Sequence, residues 1–157
     1  MNTTKYQKLF GIGPLSLVIN LLLFAVMCLF DRKLGHVAIL ERPAPLVVAG
    51  ILLICLWICW HSWCVVTIRR WWIDSQLCTT GPYRYVRHPM YAGGLVLAFL
   101  GVSLMFNSWI ILISPLLQYV VLSLLVRKEE TMMMAVFGEE YIQYADRTGR
   151  LLPKIFR

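Results

Sequence analysis

Gly81-Pro82-Tyr83-Arg84-Tyr85-Val86-Arg87-His88-Pro89-Met90-Tyr91 is the most polar and most turn-prone stretch lying between long apolar segments. It packs two arginines, a histidine, three tyrosines and two prolines into eleven residues. Gly81-Pro82 is a turn signal. Pro89 can open a helix, because the N–H that proline lacks is one the first helical turn does not need. His88 and the first amides of that helix then gather at a positive helix end, which suits a carboxylate or a phosphate. A plainer reading makes Arg84 and Arg87 interfacial anchors and the tyrosines a membrane belt. It explains each residue singly, but not their density around one turn.

The sequence on either side fixes the class. The chain has 157 residues, the length of one domain, here taken as 1–157. Hydrophobic residues make up 59% and charged residues 15%, a balance that a soluble core does not require and an integral membrane protein does. The net charge of +7 reads as topology and attraction to anionic headgroups. No basic polar surface domain is present to carry nucleic acid, so that partner is not expected.

Four apolar segments follow from the pattern, at about 11–30, 46–67, 91–106 and 109–126. The first has a basic start like a signal peptide. It is too long for an apolar signal core, and Asp31-Arg32-Lys33 follows it in place of a cleavage site. Pro43 and Pro45 make the next stretch a loop. Arg69-Arg70-Trp71-Trp72 marks the exit of the second span, since basic residues and indoles favour the interface. The third segment is short. Asn107-Ser108 separates it so briefly from the fourth, which Pro115 kinks, that the two are expected to form an antiparallel hairpin. Gly93, Gly94 and Gly101 would admit a close neighbour or a ligand. Beyond Arg127 the sequence predicts an amphipathic helix, a break near Gly138 and a short helix through Tyr144. The fold class is therefore all-α and membrane-embedded, with a C-terminal helical segment in the cytosol.

Four spans put both termini on one side. The N-terminal segment, the central loop and the tail together hold 12 of the 15 Lys and Arg, so the positive-inside rule predicts these parts in the cytosol, with the cell membrane as the expected location.

Of the five cysteines, four lie in apolar runs and none forms a Cys-x-x-Cys pair, which argues against a disulfide framework. Cys55, Cys59, His61 and Cys64 could suggest a metal, but His61 lies two residues beyond Cys59 and so on another helix face. Small buried packing residues are the better account, and no metal is expected. Glu129-Glu130 ends the fourth segment, where acids oppose the helix dipole. Neighbouring Arg127 and Lys128 would make this a solvated charge run; alternatively, one carboxylate receives a cationic ligand group.

Gly81 to Gly93, with Glu129-Glu130 and Phe137-Gly138-Glu139-Glu140-Tyr141, resembles the isoprenylcysteine carboxyl methyltransferase family and the related phospholipid methyltransferases. The resemblance covers roughly Ser75 to Pro153, and the Arg-His-Pro-x-Tyr block is its most specific part. It implies an S-adenosyl-L-methionine pocket facing the cytosol in the region 75–157. Residue by residue, Ser75, Gln76, Leu77, Cys78, Tyr83, His88, Pro89, Met90, Tyr91, Glu129 and Glu130 would line it. Histidine often stands in the family where this chain has Ser75, and valine where it has Cys78. Eukaryotic members place a substrate-side arginine where this chain has Leu125, which leaves Arg127 as the candidate acceptor-side cation.

The implied acceptor is lipid-like and drawn from the membrane: a prenylcysteine-type carboxylate, or alternatively a phospholipid amine or small thiol. A transport or assembly subunit is the competing class. Against it, spans one, three and four carry no charge to form a polar pathway. Methyl transfer from a sulfonium mainly needs alignment and desolvation. His88 and the paired glutamates are expected to face each other across a gap of about 8–10 Å, with a zwitterionic group between them.

Overall fold

The computed structural model describes residues 12–73 and 76–154, and these form an all-helical protein with no β-strand among the described residues. Helix α1 is Ile12–Lys33 and α2 is Ala44–Ile73. The central loop contains a 3-10 turn, Gly81–Arg84. Helix α3 is Pro89–Met105, α4 is Trp109–Phe137 and α5 is Glu139–Arg147.

Among the described residues three helices are long and apolar enough to cross a membrane: α1, α2 and α4. At about 1.5 Å per residue, each exceeds a hydrocarbon core of about 30 Å. In lipid the backbone must satisfy itself, so an uncharged run of this length has helix as its one open-chain solution. Outward-facing Leu15, Leu22, Leu52, Leu56, Leu116 and Leu124 are more than half exposed, as lipid-facing side chains should be. Helix α2 outruns the 46–67 expectation and continues through Arg69-Arg70. Helix α3 is apolar but shorter than these three.

Helices α3 and α4 form the expected antiparallel hairpin. Ser103 meets Ser114 at 3.2 Å near its tip, while Leu95 packs with Leu122 and Val126 further along. The tip is clamped to the α1–α2 loop. Asn107 accepts from Leu40 N at 3.0 Å and donates to Leu40 O at 2.8 Å, and the Ser108 hydroxyl donates to Asp31. Ser108 also caps α4, accepting from the amides of Ile110 and Ile111. Near Pro115 the helix is interrupted at Ile113.

Glycine sets the packing of α2 on α3. A Cβ at Gly50 would overlap the Gly101 carbonyl, and a Cβ at Gly93 would overlap the Trp60 indole. Trp60 Nε1 also donates to Pro89 O at 2.8 Å. The central third of α3, Gly94–Phe99, is π-helical, a wider turn found mostly at functional sites. At the far end, Gly138 adopts φ +58°, which a side chain would strain, and so breaks α4 from α5. Helix α5 buries Tyr141 and Tyr144 and exposes Glu139, Glu140 and Arg147.

Candidate active site

A cavity of about 700 Å³ lies between the helices where the central loop meets α3 and α4. Its volume is within the range of small-molecule sites, about 300–1,000 Å³. Leu77, Cys78, Tyr83, His88, Pro89, Met90, Tyr91 and Glu129 all line it, which unites most of the residues singled out from the sequence.

The central loop is held by burial and by the tail. Tyr144 donates to the Tyr83 carbonyl at 2.6 Å, fastening α5 to the loop. Burial pushes both phenols far above their ordinary range, so they remain neutral hydrogen-bonding groups. Burial likewise pushes the Cys78 thiol up. Cys78 packs with Cys64 and Tyr83, so it is a wall residue and not a poised nucleophile.

Neighbouring acids on α4 have different surroundings. Glu130 accepts from Arg87 Nε at 2.7 Å and from Arg150 Nε at 2.7 Å. Arg87 reaches further, donating to the carbonyls of Ala145 and Thr148. Backbone bonds from Arg87 N to Gly149 O and from His88 N to Arg150 O complete a strap across the loop. Glu130 is therefore the anchor of the tail and does not line the cavity. Glu129 does line it. Its Oε1 lies 3.9 Å from His88 Nδ1, and its buried Oε2 has no hydrogen-bond partner. The Tyr91 hydroxyl interacts with Glu129, and the Tyr91 ring stacks on His88 at 5.9 Å.

This geometry corrects one expectation. His88 does not face the glutamates across an open gap, because its Nε2 also lies 3.6 Å from Glu130 Oε1. His88 itself approaches both acids, Glu129 at 3.9 Å and Glu130 at 3.6 Å. Its position between two carboxylates makes it an orienting neighbour of Glu129.

Two other expected residues stand elsewhere. Gln76 lines a separate recess with Trp63, Arg70 and Thr80. Arg127 is exposed on α4 and does not line the cavity, since the residues of α4 that do are Leu122, Glu129 and Met133. Ser75 lies outside the described residues. Conversely, the first two helices contribute wall residues that the sequence reading did not assign to the pocket: Gly13, Ser16, Leu17 and Asn20 from α1, and Trp57, His61, Val65, Ile68 and Arg69 from α2. Asn20 and His61, polar positions inside apolar helices, were the available signal. Arg87 is mostly buried in an ion-pair network and so is not an interfacial anchor.

Helices long and apolar enough to cross a membrane, enclosing an apolar cavity of small-molecule size with the Glu129 carboxylate at its wall, define the class as a helical membrane protein with a small-molecule cavity. The sequence pattern of the phospholipid methyltransferase family matches residues 46–140, and the chain belongs to that family. It is also similar to the protein-S-isoprenylcysteine O-methyltransferase of Schizosaccharomyces pombe, with 32% identity over 83 residues, which cover 52% of this chain and 35% of the relative. The match thus spans about a third of the relative's length. Family membership supports an enzyme of the methyltransferase class.

Proposed function

We propose that the protein transfers a methyl group from S-adenosyl-L-methionine to a lipid-like acceptor drawn from the membrane. The observation that carries this reading is Glu129: a buried carboxylate on the cavity wall whose Oε2 has no partner. A buried carboxylate oxygen without a partner is costly, so a ligand bearing a cationic amine fits beside Oε2. The cofactor, when bound, supplies an activated methyl on sulfur.

The chain's own residues do the rest. Glu129 attracts the ammonium of the methionine end, and His88 with Tyr91 holds that carboxylate in place. Tyr83 and Tyr91 offer aromatic faces to a sulfonium or to the adenosine. Leu77, Cys78, Pro89 and Met90 exclude water from the transfer. An enclosed, mostly apolar site favours displacement at carbon by alignment and desolvation. Apolar Leu17, Leu95 and Phe99 continue the wall, which suits an acyl or prenyl chain.

The same reading makes Pro89–Met105 a fourth, short crossing, with both termini and the central loop in the cytosol, where the cofactor is made. The test is transfer of label from S-[methyl-³H]adenosylmethionine into a total lipid extract by the protein in lipid discs. Label in the organic phase is the expected result. Its absence, with folded protein, would count against the function.

A further inference from the structure

Trp57 and His61 occupy successive turns of α2, with ring centroids 5.5 Å apart, and both line the cavity. Trp57 Nε1 and His61 Nδ1 are buried and have no hydrogen-bond partner. Two partnerless ring nitrogens side by side in a helix that faces lipid are expensive and have no structural return. The π-helical part of α3 lines the same cavity through Gly94, Leu95, Ala98 and Phe99. Gly50 meets Gly101 and Trp60 meets Gly93, so the two helices run antiparallel and Gly94 lies at a height between Trp57 and His61. A Cβ at Gly94 would meet nothing within 4 Å, so this part of the cavity wall is bare backbone beside open space.

We propose that this ring pair is the subsite for the acceptor's head group, and that it takes an uncharged head carrying a hydrogen-bonding oxygen and N–H or O–H. The inference rests on the methyltransferase reading of the same cavity. The indole N–H donates, and the imidazole donates or accepts according to its tautomer. No formal charge stands at this height on α2. The nearest cation on that helix, Arg69, is eight residues on, about 12 Å along the axis. A carboxylate head would enter an apolar wall uncompensated, with Glu129 repelling it from the same cavity. Arg87, the other arginine on the wall, is already bound to Glu130.

The protein has three histidines, so ring ¹⁵N NMR of histidine-labelled protein in lipid discs can watch His61 and His88 separately. His61→Phe identifies the His61 signals. Three probes share one chain and differ in the head: dodecanamide, dodecanoate and dodecyltrimethylammonium. Dodecanamide should shift the His61 nitrogens and the two charged probes should not. S-adenosylhomocysteine should shift His88. Trp57→Phe should weaken dodecanamide binding about tenfold or more while leaving the homocysteine product's affinity within twofold. If dodecanamide leaves His61 unmoved while S-adenosylhomocysteine still binds, the subsite is wrong and the methyl-donor site stands. An equal shift with dodecanoate overturns the uncharged head. Loss of S-adenosylhomocysteine binding to wild-type protein removes the reading on which the subsite depends.

Discussion

Arg87 and Glu130 face each other at 2.7 Å across the junction of the central loop and α4, both side chains nearly buried. Glu129, the preceding residue on the same helix, turns to the cavity. Consecutive residues on a helix point about 100° apart, so adjacent acids divide between anchoring and binding.

That division predicts opposite responses to the same substitution. Glu130→Gln strands the Arg87 guanidinium without a counter-charge and should cost about 3–5 kcal/mol of stability. Glu129→Gln breaks no arginine pair and keeps an oxygen for Tyr91, so it should leave the unfolding midpoint nearly unchanged. SDS-induced unfolding in mixed micelles reads both, and equal losses would remove the distinction.

Adjacent glycines on α3 should also differ. Gly93→Ala drives a methyl into the Trp60 indole and should cost about 1–3 kcal/mol by overpacking. Gly94→Ala meets open space, so the same unfolding measurement should show an intact fold. A large loss at Gly94 would mean that the cavity wall is closed there.

Topology is open to labelling. Arg84→Cys and Lys154→Cys, both exposed, should react with an impermeant maleimide from the cytosolic side, and Glu41→Cys from the opposite side. Native cysteines set the background. Reaction of Lys154→Cys from outside would reverse the orientation and separate the cavity from its cofactor.

The hairpin was legible because a two-residue break between apolar segments leaves no other path. The central loop was legible because turn residues and ionisable groups rarely coincide between spans. What could not be read was which neighbour each charge would meet. Arg87 looks like an anchor until the tail folds back to place Arg150 and Glu130 beside it. That contact depends on residues more than forty positions apart. Glu130 was grouped with Glu129 for the same reason, since adjacency in sequence hides a difference in facing. The share of α1 and α2 in the cavity was hidden by composition. Apolar helices look alike until their packing turns Asn20, Trp57 and His61 inward. Extension of α4 to Phe137, past the expected end at Val126, carries Glu129 and Glu130 on one continuous helix.

Calorimetric titration of S-adenosylhomocysteine into the protein in lipid discs tests the central claim most directly. Wild-type protein should bind. Glu129→Gln should raise the dissociation constant about ten- to a hundredfold, the worth of one charged hydrogen-bond partner at about 1.5–3 kcal/mol. Arg32→Ala, at the opposite end of α1, should change nothing. Folded wild-type protein that fails to bind, or a Glu129→Gln variant that binds as tightly as wild type, would contradict the account.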